Sequence, residues 1–262
     1  MIHALIFDVD GTLADTEETH RQAFNYAFVR SELKWEWTQP LYRELLKISG
    51  GKERIGHFIC TLPVPLGEKA RLCRLVPAIH HTKTELYTEL IAEGSCPLRP
   101  GVLRLLAEAE EAGLRLAIAS TTTAANVDAL LTRHLGRGGL RQFFTIACSD
   151  LVQAKKPAPD IYRLALSTLG LAAEQCVAFE DSPNGLRAAK AAGLFTVVTP
   201  SQWTAGENFA GADLELPFLG DADHPLPPPQ AEAVGGHWLG VAELRSLHAA
   251  ALQSSMAEGA RR

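Results

Sequence analysis

Two aspartates separated by one residue follow a short apolar run near the start of the chain. Residues 4–7 are Ala-Leu-Ile-Phe, and Asp8-Val9-Asp10-Gly11-Thr12 comes directly after them. Side chains alternate along an extended segment, so Asp8 and Asp10 point the same way. Such a pair of carboxylates can share a divalent cation, or divide the roles of nucleophile and general acid/base. Because a buried strand leads into it, this segment favours chemistry over an ordinary solvated turn.

Further polar groups stand near the ends of later apolar runs. Ser120 directly follows one run, and Glu180 with Asp181 directly follows another. Lys156 lies between them in the sequence, next to Pro157. Ligands of an open parallel sheet bind at the carboxyl ends of its strands. We therefore expect these side chains to join the two aspartates in one site.

Each of these groups also has an ordinary structural interpretation. Ser120, Asp181 or Ser182 could cap the N-terminus of a helix, with Pro183 as its first residue. Lys155 and Lys156 could form a solvated surface pair. Taken singly, these interpretations are the better ones for Ser120 and the lysines. The ordered set, in contrast, favours a site.

The pattern around these groups predicts the elements that position them. Short apolar runs are typical of buried parallel strands, and they occur at residues 4–7, 114–119, 144–147, 176–179 and 195–198. Amphipathic patterns predict helices over residues 102–112, 160–169 and 184–192. Gly113 and Gly193 are placed to end two of these helices. The alternation indicates the α/β class, a Rossmann-like, doubly wound parallel sheet.

Residues from about 16 to 93 interrupt this alternation and are helical in pattern. Helix breaks are expected near Pro40, Gly50-Gly51, residues 63–65 and Pro77. We predict an α/β core domain of residues 1–15 and 94–262 and an inserted α-helical cap domain of residues 16–93, with residues 93–101 as the return linker. Residues 216–230 are predicted to form a loop, and residues 241–256 a last helix.

The composition restricts the partners and the compartment. The 262 residues carry 25 Lys plus Arg and 30 Asp plus Glu, a net charge of −5, which argues against nucleic acid as a partner. No apolar run is long enough to span a bilayer. The five scattered cysteines include no Cys-x-x-Cys pair, which favours a reducing compartment. We expect a soluble monomer, cytoplasmic in a bacterium or, after removal of a transit peptide, in the chloroplast stroma.

In this order, the motifs resemble those of the haloacid dehalogenase-like (HAD) phosphohydrolases over residues 1 to about 200. The resemblance implies hydrolysis of a phosphomonoester through an aspartyl-phosphate. Asp8 would be the nucleophile, and Asp10 would protonate the leaving alcohol and then activate water. Ser120 and Lys156 would bind the transferring phosphoryl group.

The same resemblance implies Mg²⁺ as the cofactor. Asp8, the backbone carbonyl of Asp10 and the side chain of Asp181 would be its protein ligands, and Glu180 would hold its waters. Oxygen ligands together with retained water are what this cation prefers.

A second group of candidate residues lies in the helical segment. Gly50-Gly51-Lys52-Glu53-Arg54 combines a flexible turn with two cations, which suits a second phosphate bound partly by backbone N–H groups. Lys83 adds another basic group, and Glu17 suits sugar hydroxyls. For His80 and His81 a solvated surface is the better interpretation.

Within the family the chain is similar to CbbY proteins, in its Asp-Thr-Glu-Glu, Gly-Gly-Lys-Glu-Arg and Lys-Lys-Pro-Ala-Pro-Asp-Ile-Tyr-Arg segments among others. That similarity implies a phosphatase for xylulose 1,5-bisphosphate, an inhibitor of Rubisco, and thus metabolite repair beside the Calvin cycle. The implied substrate contacts are Glu17, Gly50, Gly51, Lys52, Arg54, Lys83, Ser120, Thr121, Asn126 and Lys156.

Other functions stay open from the sequence. A β-phosphoglucomutase-like phosphomutase, or another sugar-monophosphate phosphatase, would share nearly every catalytic residue. A non-catalytic sugar-phosphate sensor belongs to a different class, and the intact catalytic set speaks against it. Asp10 argues against a dehalogenase, which lacks the second acid, and against a phosphonate hydrolase, which has a small residue there. The proline-rich tail from about Gly220 has no assigned role.

Overall fold

A six-stranded parallel sheet forms the centre of the protein in the computed structural model, which describes residues 1–94 and 96–259. The strands are β1 (Ala4–Phe7), β2 (Arg115–Ala119), β3 (Phe143–Ala147), β4 (Cys176–Glu180), β5 (Phe195–Val198) and β6 (Leu214–Glu215). Their order is β3-β2-β1-β4-β5-β6. The five predicted strands and the doubly wound, Rossmann-like class are thus confirmed. The sixth strand has two residues, too few to leave a sequence pattern.

Ten α-helices surround this sheet among the described residues. They are α1 (Glu17–Arg30), α2 (Gln39–Leu45), α3 (Gly51–Thr61), α4 (Leu66–Ala92), α5 (Val102–Glu111), α6 (Ala124–Leu135), α7 (Asp160–Leu169), α8 (Pro183–Ala191), α9 (Pro228–Val234) and α10 (Val241–Gly259). The helices predicted near α5, α7, α8 and α10 are confirmed, and Gly113 and Gly193 follow the ends of α5 and α8 with φ of 70° and 83°. The predicted loop over residues 216–230 is partly wrong, because α9 begins inside it. None of the described helices combines the length and the apolar character that crossing a bilayer requires.

Helices α1 to α4, residues 17–92, lie between β1 and α5 in the chain, and we call them the helical insertion. The break predicted at Pro77 is wrong, since α4 continues through it. Packing of α4 against α1, α3 and α6 outweighs the one backbone hydrogen bond that proline removes. The division into core and cap domains stays a prediction, and its return linker includes Ser95, outside the described residues.

The sheet is buried on both faces, which explains the continuous apolar runs. In β1, Leu5 and Phe7 contribute to one apolar cluster, while Ala4 and Ile6 contribute to another. Phe7 also stacks on Phe179 of β4, with ring centroids 4.5 Å apart. The strand order reverses between β1 and β4, so β1 ends at the switch point of the sheet, where such folds bind their ligands.

Candidate active site

Asp8 and Asp10 leave the sheet at that switch point. Gly11 follows them with φ of 85°, a conformation that favours glycine. A Cβ atom at Gly11 would lie 2.1 Å from Oδ2 of Asp181, so the carboxylate of the β4 loop approaches this backbone directly. The glycine therefore permits both the turn and the close approach of the two loops.

Lys156 joins the first strand to the fourth. Its Nζ donates to Oδ1 of Asp8 at 2.6 Å and to Oε1 of Glu180 at 2.5 Å, and all three side chains are buried. Burial raises the pKa of Asp8 to about 7, with Glu180 and Asp10 adding to the shift and Lys156 opposing it. Burial would lower the pKa of Lys156, but Asp8 and Glu180 raise it above its usual value. The lysine therefore stays cationic beside the candidate nucleophile.

Asp8, Glu180 and Asp181 form a cluster of buried carboxylates. One oxygen from each lies within 4.8 Å of the others. Burial, with the charges of Asp8 and Glu180, raises the pKa of Asp181 well above its usual value. Oε2 of Glu180 is buried and has no hydrogen-bond partner. One lysine cannot balance three carboxylates, so the donor set fits a divalent cation that prefers oxygen ligands.

Asp10 faces the helical insertion. Its Oδ1 accepts hydrogen bonds from Thr16 Oγ1 at 2.6 Å and from His20 Nε2 at 2.9 Å, while Lys83 Nζ lies 2.5 Å from His20 Nδ1. An ammonium donating to Nδ1 places the imidazole proton on Nε2, which can then donate to Asp10. Burial would raise the pKa of Asp10, but His20 and Thr16 hold it below its usual value. Burial lowers the pKa of Lys83 to about 7.

Thr16 and His20 are not among the site residues predicted from the sequence. A signal was present, since the two residues are four apart at the start of a helical pattern and so share one helix face. What the pattern could not show is that this face turns towards Asp10.

The predicted site residues surround one cavity between the carboxyl edge of the sheet and the helical insertion. Those that line it are Asp8, Asp10, Glu17, Gly50, Gly51, Lys52, Arg54, Lys83, Ser120, Thr121, Asn126, Lys156 and Asp181. Glu180 lies behind this surface and is fully buried. The roles of the individual residues stay predictions, but the structure brings all of them together.

The structure also decides between the helix-cap interpretations and the site. Thr123, not Ser120, caps α6, because its Oγ1 accepts from the Asn126 N–H. Ser182, not Asp181, caps α8 in the same way, through the Gly185 N–H. Ser120 and Asp181 are therefore not used as helix caps and line the cavity instead.

Asn126 lines this cavity and is held there by a hydrogen bond to a neighbouring threonine. Its Nδ2 donates to Thr122 Oγ1 at 2.8 Å, whereas its buried Oδ1 has no partner. The bond to Thr122 thus fixes the orientation of the Asn126 amide in the wall of the cavity.

On the side of the helical insertion, one tyrosine holds two predicted substrate contacts. Tyr42 Oη donates to Glu17 Oε2 at 2.8 Å and accepts from Arg54 Nη1 at 2.9 Å. Tyr42 is fully buried, and Arg54 is buried beside it. The anionic and the cationic side chain are thereby fixed relative to each other.

The solvated surface predicted for the two histidines is wrong for His80. Its side chain is buried and lines the cavity, and a Cβ atom at Gly51 would lie 2.5 Å from its Nε2. Burial, reinforced by Lys83, lowers its pKa to about 3, so the imidazole is neutral. His81, in contrast, is exposed and lies 3.4 Å from Glu85. The fold of α4 separates these neighbours, because adjacent helical residues point in different directions.

A family model described as haloacid dehalogenase-like hydrolase matches residues 2–193 of the chain. The chain belongs to this family. Protein CbbY, plasmid, from Cupriavidus necator is 51% identical over 250 residues, which cover 94% of this chain and 97% of that protein. A CBBY-like protein from Arabidopsis thaliana is 41% identical over 83% of this chain and 69% of its own length.

Solved structures of CbbY from Rhodobacter sphaeroides resemble this hydrolase in fold and sequence. One of them, a variant in complex with xylulose-(1,5)bisphosphate, has a TM-score of 0.77 and 49% identity, covering 83% of this chain and 95% of that one. Another, in complex with phosphate, has a TM-score of 0.77 and 50% identity. Together with the family match, these relatives make the chain an enzyme of the phosphatase type.

Proposed function

We propose that the protein is a Mg²⁺-dependent sugar-bisphosphate phosphatase that converts xylulose 1,5-bisphosphate to xylulose 5-phosphate. The observation that carries this proposal is the distribution of charge in the cavity. Lys156 stands beside Asp8 on the core side, while Lys52 and Arg54 line the cavity from α3 on the insertion side. Two separated cationic groups suit a ligand with two phosphates, and a CbbY bound to such a ligand is 49% identical to this chain.

In the first step Asp8 attacks the phosphorus of one phosphate. A bond forms between its carboxylate oxygen and phosphorus, and the bond from phosphorus to the sugar oxygen breaks. Lys156 and the Ser120 hydroxyl hold the phosphoryl oxygens, whose charge the site must stabilise. Asp10 protonates the leaving alcohol. The His20 Nε2 proton, 2.9 Å away, passes to Asp10 as Lys83 gives a proton to His20 Nδ1, so Lys83 is the net proton source.

In the second step water attacks the aspartyl-phosphate. Asp10, held as a carboxylate by Thr16 and His20, removes a proton from that water. The new bond joins the water oxygen to phosphorus, and the bond to Asp8 breaks. Inorganic phosphate and the free Asp8 carboxylate result.

The carboxylate cluster would hold Mg²⁺ through Asp8, Asp181 and the backbone carbonyl of Asp10, with Glu180 contacting it through water. When bound, the cation neutralises negative charge shared by the carboxylates and the phosphoryl oxygens. On the insertion side of the cavity, Arg54 and Lys52 bind the second phosphate, and Glu17 accepts hydrogen bonds from sugar hydroxyls.

Phosphate release from a panel of sugar phosphates tests this proposal. The panel contains xylulose 1,5-bisphosphate, ribulose 1,5-bisphosphate, xylulose 5-phosphate, fructose 1-phosphate and glucose 1-phosphate, each with and without Mg²⁺. We expect the highest kcat/KM for xylulose 1,5-bisphosphate and no turnover after chelation. Preference for an aldose monophosphate would overturn the assigned substrate. Interconversion of glucose phosphates without phosphate release would show a mutase, and tight binding without turnover would show a sensor.

A further inference from the structure

Arg43 on α2 connects the helical insertion to the loop that follows β5. Its Nη1 donates to the carbonyl of Trp203 at 2.7 Å, and its Nη2 donates to the carbonyl of Gln202 at 3.0 Å. The guanidinium also lies over the indole ring, 5.6 Å from its centroid. A single side chain of the insertion thus holds two successive peptide groups of the core.

The indole of Trp203 links Arg43 to Tyr42, which lies beside the cavity. Trp203 is 5% exposed and packs edge-on against Tyr42, with ring centroids 5.5 Å apart. Tyr42 is the residue that fixes Glu17 and Arg54. A movement of the Trp203 loop would therefore change the support of both side chains.

The other end of the same loop contacts the carboxylate cluster. Thr204 Oγ1 donates to the backbone carbonyl of Asp181 at 2.7 Å. Within the loop, Ser201 Oγ accepts from the Trp203 N–H at 3.3 Å and its carbonyl accepts from the Ala205 N–H at 2.8 Å. These bonds close residues 201–204 into one turn, so its two ends move together.

The start of α8, which follows the cluster in the chain, contacts the same part of the insertion. Asn184, three residues after Asp181, donates through Nδ2 to the Lys47 carbonyl at 2.9 Å and to Ser49 Oγ at 3.1 Å. Ser49 directly precedes Gly50, where the predicted phosphate-binding turn begins. Residues 43–49 of the insertion are thus held both by the loop that follows β5 and by the start of α8.

We propose that the turn of residues 201–204 couples the seating of the helical insertion on the core to the position of Asp181. Arg43 and Thr204 are positioning residues: Arg43 holds the turn to the insertion, and Thr204, which lines the cavity, holds it to Asp181 through the backbone carbonyl, with Oδ2 at 3.5 Å. The inference rests on the proposed function in one respect, that the cluster binds Mg²⁺. Coupling of this kind is reciprocal, so seating of the insertion strengthens Mg²⁺ binding as much as Mg²⁺ favours the seated insertion.

Calorimetric titration of the metal-free protein with Mg²⁺ alone tests the coupling without any sugar. The variants are Arg43→Ala, Thr204→Val and the double variant. We expect each single change to weaken Mg²⁺ binding by about fivefold. The double variant should be no weaker than the worse single one, because both changes break the same connection.

Hydrogen exchange provides an independent measurement. In the wild type, Mg²⁺ should slow amide exchange in residues 39–49, and Thr204→Val should abolish this effect although it changes only the core. Arg21→Ala is the matched control, since Arg21 Nη1 donates to the Trp37 carbonyl at 2.8 Å within the insertion. Thr168→Val is the second control, because the Thr168 hydroxyl donates to the Leu164 carbonyl within α7. Both controls should match the wild type.

Two results would overturn the coupling: unchanged Mg²⁺ affinity in Arg43→Ala, or effects that simply add in the double variant. If Arg43→Ala does not fold, Arg43→Met keeps an unbranched apolar side chain but has no N–H donor, and the same loss of Mg²⁺ affinity is expected for it. Absence of Mg²⁺ binding in the wild type would refute this inference together with the cofactor assignment. Coupling without turnover of xylulose 1,5-bisphosphate would refute the substrate assignment alone.

Discussion

One lysine is hydrogen-bonded to two carboxylates at the candidate nucleophile. Lys156 bonds to Asp8 and Glu180 together, and Tyr162 donates its hydroxyl to the same oxygen of Glu180. Glu180 Oε1 is thereby fully used, while its Oε2 has no partner. The free protein is thus left with negative charge that a divalent cation can balance.

Replacing Asp8 by Asn tests its role as the nucleophile. The amide keeps the size of the side chain but cannot form an acyl phosphate, so phosphate release should fall by at least roughly 10³-fold. Circular dichroism should show an unchanged fold. Asp128→Asn on the exposed face of α6 is the matched control and should keep full activity. Substantial activity in Asp8→Asn would contradict the mechanism.

Gly185→Ala tests how closely α8 supports the carboxylate cluster. A Cβ atom at Gly185 would lie 1.7 Å from Oε2 of Glu180, so Glu180 must move. We expect activity to fall by about 10-fold or more and Mg²⁺ to bind more weakly, since a misplaced group near the metal is costly. Gly56→Ala in α3, with nothing within 4 Å of the added atom, is the control and should preserve both. Equal behaviour of the two variants would show that Glu180 is not needed in this position.

At the scale of elements, the sequence allowed the strands and the residues at their ends to be predicted, because buried parallel strands leave continuous apolar runs. The path of α4 through Pro77 could not be predicted, since packing against distant helices decides it. The contact between His20 and Lys83 has the same origin. The two residues are 63 positions apart, and only the packing of α1 on α4 joins them.

Arg54, at the start of α3, allows the predicted second phosphate site to be tested. Arg54 projects from the first turn of α3 into the cavity and is held by Tyr42. Arg54→Ala should lower kcat/KM for the bisphosphate by roughly 10–100-fold, the effect of losing a charge-assisted hydrogen bond. Hydrolysis of p-nitrophenyl phosphate, which has no second phosphate, should change by less than about threefold.

Steady-state kinetics on both substrates measures this difference. Arg71→Ala is the control, because Arg71 pairs with Glu68 on the exposed side of α4. It should leave both activities unchanged. Equal losses on the two substrates in Arg54→Ala would indicate a general defect and would argue against a second phosphate site.

At the scale of the whole molecule, the net charge of −5 does not describe the surface that a ligand meets. The described residues place a carboxylate cluster and the cations of the helical insertion on opposite sides of one cavity. An anionic ligand therefore meets positive charge locally although the protein is acidic overall. In the metal-free protein the buried carboxylates repel one another and lower the free energy of unfolding. This destabilisation should be measurable.

Thermal unfolding of Asp181→Asn measures this destabilisation. Without metal, removing one of three buried carboxylates relieves repulsion and desolvation, so the variant should be more stable than the wild type by roughly 1–2 kcal/mol. Saturating Mg²⁺ should reverse the order. At a concentration 100 times its Kd, Mg²⁺ stabilises the wild type by about 2.7 kcal/mol, while the variant, which lacks one metal ligand, gains little.

Asp128→Asn is the control and should follow the wild type under both conditions. A variant less stable than the wild type without metal would contradict the repulsion argument, and equal stabilisation by Mg²⁺ would show that Asp181 does not bind it.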